Sequence, residues 1–544
     1  MKWYQILVLL SISIHVDSCK KENTEPQPGS KNFTITTIEV DGKNSGFTYP
    51  NASVMPEIIF SFSDKIDHQS VQSNITMSGT TGSVSLSITF SNGDSTVVIK
   101  PTDSLAYWNK YSVVISPQLT SASDLEFGSP ITVKLVTEID PADKFPILSD
   151  SVLLDLAQHQ TFKYFWDYAE PNSGMARERI GSGDIVTSGG SGFGIMSIIV
   201  GIERNFITRK EGVQRLDKIL TFLEKADRFH GAWSHWINGS TGKVIPFSTK
   251  DNGGDLVETS FLMQGLLTFR QYLKSSDETE SALIDRINVL WNDIEWDWYR
   301  RDNQNVLYWH WSPNYAWDMN FPLYGYFEEQ ITYVLAAASP THSIPKEVYT
   351  NGYGKNGAIK TGNTYYGYTL PLGGLAPLFW VQYSYLGMDP HFSDDYANYW
   401  TQNVNATLID YSYCVANPKK YAGYSESCWG LTASDNENGY DAHSPANDLG
   451  VITPTAALSS FPYTPTQSMK ALKFFYYKLG DHLWGDYGFY DAFNITTGWT
   501  ADSYLAIDQG PIIVMIENYR SGLLWNLFMS APEVQTAKTK LGFQ

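Results

Sequence analysis

Cysteine is scarce in this sequence. The 544 residues contain three cysteines, at Cys19, Cys414 and Cys428. The two that follow Cys19 allow one disulfide, so a domain held together by a disulfide framework is excluded. Their spacing gives no metal signature either. We therefore expect a chain that folds around an ample hydrophobic core and binds no metal or other cofactor.

Positive charge is scarce as well. Lys and Arg number 38 against 57 Asp and Glu, which gives a formal net charge of -19. This charge repels phosphate backbones and argues against nucleic acid as a partner. The sequence also lacks a Ser-His-Asp order, a phosphate loop and a dinucleotide fingerprint,. These absences remove several enzyme classes from consideration.

Aromatic residues, in contrast, are abundant. They make up 14% of the chain, with 17 Trp and 34 Tyr, a high content for an ordinary soluble enzyme. Aromatic rings stack on the apolar faces of sugar rings. A glycan oligosaccharide is therefore the substrate or ligand class that we expect.

The first 32 residues read as a targeting segment. Residues 1–19 contain one lysine, a short apolar run and the small residue Ser18 before Cys19, which predicts an export signal too short to span a bilayer. The segment resembles a bacterial lipoprotein signal. That resemblance implies lipidation of Cys19 and an anchor in the bacterial envelope, periplasmic or at the cell surface. Residues 20–32, rich in charge, Pro and Gly, predict a flexible tether.

Residues 33–140 have the alternating pattern of β-strands. Val84, Leu86, Ile88 and Phe90 alternate with polar residues, and the turn at 91–94 predicts a hairpin,. Further alternating stretches bring the total to about seven strands, as in a β-sandwich. The region resembles bacterial immunoglobulin-like modules and contains nothing that looks catalytic.

From residue 146 to 544 the periodicity changes to about 3.6, which predicts about a dozen helices. We place them at 150–169, 190–204, 208–228, 255–274, 276–294, 326–338, 365–387, 393–415, 453–460, 464–479, 502–529 and 531–541. Capping boxes are expected at Thr208 with Glu211, Ser275 with Glu278, and Ser530 with Glu533,. These helices fit an α/α toroid, although helix counting alone does not separate it from an α-solenoid.

Glu328 and Glu329 are expected to open the helix at 326–338, whose remainder is almost wholly apolar. Glu328 shares a helical stripe with Ile331 and Leu335,. A carboxyl desolvated in this way has a raised pKa and suits a general acid. Alternatively, both glutamates simply occupy the first helical turn, where the helix dipole favours anions.

Three further segments, residues 231–261, 308–320 and 421–444, are rich in aromatic residues, and the first and third are also Gly-rich and acidic. In the first, Asp255 and Glu258 have the spacing of a helix N-cap and its reciprocal partner, and we favour this capping role over a catalytic role for the pair,. Capping does not explain the presence of Asp251. The second predicts an aromatic binding platform, in which His310 is expected to bond or pack rather than to bind a metal. The third resembles a calcium loop only loosely, so solvated loop charge is the commoner explanation. The candidate substrate-binding residues are Asp251, Asp255, Glu258, Trp236, Trp309, His310, Trp311, Tyr315, Glu426 and Trp429.

Asp508 stands in an apolar helical context before a Gly-Pro break and is a candidate general base,. Hydrolysis of a glycosidic bond takes two carboxyl groups, one protonated and one ionised. Glu328 and Asp508 supply such a pair, and Glu426 is the second candidate for the base.

Four stretches together resemble glycoside hydrolase family 144: GGDLVETSFL, YWHWSPNYAWDMNFPLYGY, ITYVLAAASPTH and YSESCWGLTASDN. The resemblance implies an (α/α)6 barrel that cleaves β-1,2-glucan or sophorooligosaccharides with anomeric inversion. It also implies that Glu328 is the acid and that Asp251, Asp255 and Glu258 lie in the substrate cleft. Members act within the chain or release sophorose from the non-reducing end, and we expect the second mode.

Two other functions use the same features. A surface lipoprotein that binds glycan without cutting it would need the same aromatic loops, but it would give Glu328 no reason to be buried. A hydrolase of α-linked glucan on the same barrel would differ from our expectation in linkage preference alone.

Overall fold

A computed structural model describes residues 33–544. Residue contacts divide them into two compact units, one of residues 33–47, 56–103 and 112–133, the other of residues 48–55, 104–111 and 134–544. The predicted signal, tether and lipidation site at Cys19 lie outside the described residues. Between residues 33 and 544, no helix is both long and apolar enough to cross a membrane.

The first unit contains a four-stranded antiparallel sheet. Its strands follow the order Ile35–Val40, Ile58–Phe62, Thr96–Pro101 and Leu86–Ser91. The side chains of Phe60 and Val97 oppose each other in register and are fully buried, as the alternation predicts. The predicted hairpin is confirmed, with Gly93 at a φ of 64° in its turn. The other elements of the β region are Thr48–Ala52, His68–Asn74 (a helix), Ile75–Gly79, Gly82–Val84, Lys110–Ile115 and Ile131–Thr137.

The second unit is mainly helical. Its α-helices are Asp150–Trp166, Ser188–Glu203, Arg209–Leu223, Leu256–Tyr272, Glu278–Asn292, Gln330–Ala338, Lys346–Asn351, Leu378–Gln382, Tyr399–Ala416, Pro454–Leu458, Pro465–Tyr477, Gly480–Leu483, Ala506–Ser521, Leu523–Met529 and Pro532–Leu541. Short 3-10 helices occur at Trp298–Arg300, Lys355–Gly357 and Tyr383–Tyr385. The loops add the short strands Ile185–Thr187, Trp236–Asn238, Val244–Ile245, Gly254–Asp255, His310–Trp311, Lys360–Tyr365, Tyr368–Leu372, Ala433–Asn436, Gly439–Ala442, Trp484–Gly485, Gly488–Phe489, Phe493–Asn494 and Trp499–Thr500.

Helices Ser188–Glu203 and Leu256–Tyr272 form the centre of this unit. They pack against each other, and nearly all of their residues are buried. Gly192 and Gly265 lie at the crossing, where a Cβ on either would stand about 2 Å from a backbone oxygen of the other helix. The close approach therefore requires glycine at both positions.

Several predicted helix boundaries are wrong. The helix expected at 365–387 is instead a hairpin, Lys360–Tyr365 with Tyr368–Leu372, followed by short helical turns. The reason is that Gly367 takes a φ of 84° in a two-residue turn,. The helix expected at 502–529 is two helices, because Gly522 ends the first in the left-handed conformation at a φ of 69°,.

The predicted capping boxes have mixed outcomes. The box of Thr208 and Glu211 is confirmed, with both reciprocal hydrogen bonds present. The helix assigned to Ser275 is capped by Asp277 instead, whose side chain accepts from the N–H of Glu280. Ser530 caps nothing, because the last helix begins one residue later, at Pro532, and the Ser530 hydroxyl donates to a preceding carbonyl.

Candidate active site

Asp255 and Glu258 stand where the inner helix Leu256–Tyr272 begins. Asp255 is its N-cap, and its Oδ1 accepts the N–H of Glu258 at 2.9 Å and the indole N–H of Trp309 at 2.9 Å. Glu258 does not complete a capping box. Its Oε2 instead accepts the N–H of Gly189, at 2.9 Å, from the neighbouring central helix. The cap fixes Asp255 and leaves Glu258 directed toward the space between the helices.

Two histidines face the carboxylates of Asp255 and Asp251. His235 Nδ1 lies 3.4 Å from Asp255 Oδ2, and His310 Nδ1 lies 3.3 Å from Asp251 Oδ1 and 3.6 Å from Asp255 Oδ2. Burial opposes protonation of His235, but the charges of Glu258 and Asp255 raise its pKa to about 9. In turn, although burial opposes it, the charges of His310 and His235 hold the pKa of Asp255 below its usual range. This cluster therefore keeps Asp255 ionised.

Ligand atoms of His235, Asp251 and Asp255 lie within 4.8 Å of one another, as in a metal site. Although burial opposes protonation, the neighbouring carboxylates raise the pKa of His235 and of His310, which places positive charge beside Asp251 and Asp255. Ion pairing thus accounts for the arrangement without a cation,.

Glu328 lies in a turn just before the helix Gln330–Ala338, not within it as predicted. Its backbone carbonyl accepts the hydroxyl of Ser384 at 2.5 Å, which holds the turn. The side chain is buried, and its Oε2 has no hydrogen-bond partner. Burial, with a smaller effect from the charges of Glu258 and Asp255, raises the pKa of Glu328 to about 8. This carboxyl therefore holds a proton at neutral pH.

The adjacent Glu329 is fully buried, and neither of its oxygens has a hydrogen-bond partner. Burial, followed by the charge of Glu328, raises its pKa well above the usual range. It does not line the cavity that Glu328 lines. Of the two glutamates, Glu328 is the one that can reach a ligand.

A cavity of about 390 Å³ joins these groups, within the range of small-molecule sites. Glu258 and Glu328 line it, together with the aromatic residues Trp236, Trp309 and Phe247. The indole N–H of Trp236 is buried and has no hydrogen-bond partner. A carboxyl that holds a proton, hydrogen-bonding groups and aromatic walls are thus brought together.

The other candidates from the sequence lie in different places. Asp251, Asp255 and His310 do not line the cavity. Asp255 contacts His235, which lines it, and His310 contacts both Asp251 and Asp255. Trp311 packs against His230 and Trp298, Tyr315 lies in an exposed turn, and Trp429 is fully buried in a core cluster. Glu426 is mostly exposed and pairs with Lys470 at 2.9 Å.

Asp508 belongs to a second group of buried acids. It faces Asp491, and apart from this neighbour neither of its oxygens has a hydrogen-bond partner. Burial, then the charge of Asp491, raises the pKa of Asp508 well above its usual range, and burial and Asp435 raise that of Asp491 to about 7. Asp491 is held in place because its Oδ2 accepts the N–H of Asp435 at 2.7 Å. The facing carboxyls therefore titrate as a coupled pair that loses its protons less readily than ordinary aspartates,.

Tyr383 connects the two acid groups. Its hydroxyl donates to the carbonyl of Ile507 at 2.9 Å, and it lines the cavity. After burial, the charges of Asp508, Glu258 and Glu328 are among the causes that raise the pKa of Tyr383. The charges of both acid groups therefore act on the Tyr383 hydroxyl.

Sequence reasoning missed several residues of this site: Glu178, Arg179, His235, Phe247, Tyr383, Tyr440 and Asp491. His235, next to Trp236 in an aromatic loop, gave a usable signal. Phe247 lies in the same loop, and Tyr440 lies in the aromatic segment 421–444. The others come from separate segments with no local pattern, and only the tertiary fold brings them together.

The fold and the site define a class of protein. A proton-holding carboxyl, a second group of buried acids and aromatic walls, on a mainly helical domain, are the features of a glycoside hydrolase. Residues 320–532 match the family model "Glycoamylase", described as "Putative glucoamylase", and residues 20–137 match a bacterial Ig-like domain.

Three relatives make the assignment more specific. An exo β-1,2-glucooligosaccharide sophorohydrolase (non-reducing end) from Parabacteroides distasonis is 50% identical over 72% of this chain, which spans 58% of that relative's length. The endo-β-1,2-glucanase structure from Chitinophaga pinensis is 57% identical, with a TM-score of 0.72 over 73% of this chain and 99% of its own. A β-1,2-glucanase structure from P. distasonis is 41% identical, with a TM-score of 0.71 over 93% of this chain and 74% of its own.

The chain belongs to glycoside hydrolase family 144, the bacterial β-1,2-glucan hydrolases, and carries an N-terminal Ig-like domain. The predicted Ig-like β region and helical domain are thereby confirmed, and the neighbours are consistent with the predicted (α/α)6 barrel.

Proposed function

We propose that this protein hydrolyses β-1,2-glucan and sophorooligosaccharides and releases sophorose from the non-reducing end. The observation that carries the proposal is Glu328, a buried carboxyl that holds a proton at neutral pH and lines a cavity with aromatic walls. The names of the relatives supply the linkage, and the P. distasonis sophorohydrolase supplies the mode of action.

Glu328 acts as the general acid. It donates its proton to the glycosidic oxygen as the bond between that oxygen and the anomeric carbon breaks, and it is left as a carboxylate. A water molecule attacks the anomeric carbon from the opposite face, which inverts its configuration. Asp508 is the proposed base. Neither it nor Asp491 lines the cavity, but the charge of Asp508 acts on Tyr383, which does line it, and the coupled pair of acids can accept the proton of this water,.

The remaining groups bind and orient the sugar. Trp236 and Trp309 offer ring faces, and Glu258 accepts hydrogen bonds from sugar hydroxyls. Asp255 holds Trp309 through the indole N–H and stays ionised beside His235 and His310. The cavity is thereby organised before the substrate enters, which reduces the entropic cost of binding.

The test is a product time course on linear β-1,2-glucan with the wild type and Glu328→Gln. Sophorose should appear from the outset, and Glu328→Gln should bind the glucan without cutting it. Glu426→Gln is the matched control, since the same change on an exposed carboxylate should leave the rate unchanged.

The other outcomes decide between the alternatives. A spread of longer oligomers would make this chain an endo enzyme, like the relative from C. pinensis. Cleavage of an α-linked glucan but not of β-1,2-glucan would overturn the linkage. Binding of β-1,2-glucan by the wild type without any product would leave a glycan-binding protein.

We also propose that the chain is exported and lipid-anchored through Cys19. The support is the lipoprotein-type sequence of residues 1–19,. Metabolic labelling with a radioactive fatty acid should mark the wild type and not Cys19→Ser. Equal labelling of both would contradict the proposal.

A further inference from the structure

A second cavity, of about 520 Å³, adjoins the first. The two share Arg179 and Tyr440, which form the wall between them. Neither the proposed acid Glu328 nor Glu258 lines the second cavity. Its position next to the reacting groups raises the question of what it binds.

A chain of polar contacts leads from one cavity to the other. Glu178, in the first cavity, accepts from Arg179 Nε at 3.0 Å, and Arg179 Nη1 donates to Asp435 in the second cavity at 3.0 Å. Ser503, also in the second cavity, donates its hydroxyl to Asp435 at 2.6 Å. The guanidinium is therefore fixed on two sides. Its Nη2 donates to no group within residues 33–544 and is open to a ligand.

The charges of the second cavity favour a neutral ligand. Glu178 and Asp435 compensate the one guanidinium, and Asp502 adds an exposed carboxylate to the lining. The cavity thus has no excess positive charge to attract phosphate or carboxylate groups.

The remaining surface suits a sugar. Tyr440 is 47% exposed and Trp499 is half-buried, so both present ring area to the cavity. Asn436 adds an amide within the same lining. Aromatic faces beside amide, carboxylate and guanidinium groups are what a neutral polyhydroxylated ligand needs.

We propose that the second cavity binds those glucose units of the substrate chain that extend beyond the first cavity. This inference rests on the proposed function for the identity of the chain. Arg179 and Tyr440 contact the saccharide where it passes between the cavities, and Trp499 supports its far part. Affinity therefore rises with chain length until the second cavity is filled.

The experiment measures affinity without turnover. Sophorooligosaccharides of increasing length are titrated calorimetrically into Glu328→Gln and into the double variant Glu328→Gln with Trp499→Ala. We expect Kd to fall with length in the first protein. In the second, the long oligomers should bind about five- to tenfold more weakly and the shortest should bind equally, as loss of one stacking ring predicts.

Two further variants serve as controls for the Trp499→Ala experiment. Trp499→Phe, in the same background, should restore most of the gain because it keeps a ring. Asp502→Ala replaces Trp499→Ala in the experiment if the latter does not fold. It removes only an exposed side chain, and it should weaken binding of the long oligomers and leave that of the shortest unchanged.

The outcomes separate this inference from the proposed function. Cleavage of glucan by the wild type with no length-dependent loss in any of these variants would overturn the second site and leave the function intact. A length-dependent loss in a protein whose wild type cleaves nothing would support the site and overturn the function.

Discussion

Replacing Glu328 with Gln should stabilise the protein by an amount that grows with pH. The pKa of this carboxyl is about 8 in the fold, against an ordinary value of 4.5. Between these values the folded protein holds a proton that the unfolded chain has lost. The folded state therefore binds more protons, and stability falls as pH rises through this window.

The size of the effect follows from the two pKa values. Glu328 costs nothing below pH 4, because it is then protonated in both states. The cost reaches about 3 kcal/mol at pH 7 and about 5 kcal/mol above pH 8, where it becomes constant. Gln cannot ionise, so the variant does not have this pH-dependent loss of stability. Every other titrating group is common to the two proteins, so the difference between them isolates Glu328.

Urea denaturation followed by tryptophan fluorescence measures this difference. All tryptophans among residues 33–544 lie in the second unit, so the signal reports on the unit that contains the site. The free energy of unfolding of Glu328→Gln, minus that of the wild type, should increase by about 3 kcal/mol from pH 4 to pH 7. A difference that stays constant with pH would refute the reasoning and show that Glu328 is ionised in the fold.

Three further predictions concern single contacts. Asp508→Asn should lower kcat by about 10²- to 10⁴-fold while leaving oligosaccharide affinity in place, and a kcat within twofold of the wild type would remove Asp508 from the reaction. Trp309→Phe deletes the indole N–H that donates to Asp255; it should weaken sophorooligosaccharide binding by about five- to tenfold, corresponding to one hydrogen bond, and unchanged calorimetric affinity would contradict this role. Arg270→Ala breaks the ion pair between Arg270 and Glu533, in which the Arg270 side chain is only 6% exposed. It should cost about 3 kcal/mol or more in urea denaturation with kcat and KM unchanged, whereas a loss below 1 kcal/mol would show that the pair is dispensable.

Much of the fold follows from periodicity. The strands of the first unit bury every second residue, and several long helices of the second unit bury residues at a period of about 3.6. The positions of these elements could therefore be predicted to within a few residues. The hairpin Lys360–Tyr365 with Tyr368–Leu372 could not, since its apolar and aromatic residues also fit a helical pattern. The turn at Gly367 makes this segment a hairpin. Its left-handed backbone is hard to predict, because one glycine among several nearby gives only a weak sequence signal for a turn,.

The site was less predictable than the fold. Glu328 could be found because it interrupts an apolar stretch, and Asp255 because a cap has a fixed spacing. Trp429 and Trp309 occur in similar aromatic loops, yet the first is enclosed in a core and the second lines the cavity. Composition does not distinguish such pairs, because burial of a loop tryptophan depends on what packs over it. The partner of Arg179 in the second cavity, Asp435, lies in a distant segment and required the tertiary structure.

The distribution of cations separates the buried carboxyls into different states. Asp255 is fully buried, yet it stays ionised because His235 and His310 face it. Glu328 is buried to a similar degree without a facing cation, so it holds its proton. Asp508 faces another carboxyl instead, and the two titrate as a coupled pair,. Burial alone would have raised the pKa of all three acids alike. Two histidines and one aspartate placed next to them are therefore what gives the site a proton donor, a fixed anion and a proton acceptor within one helical domain.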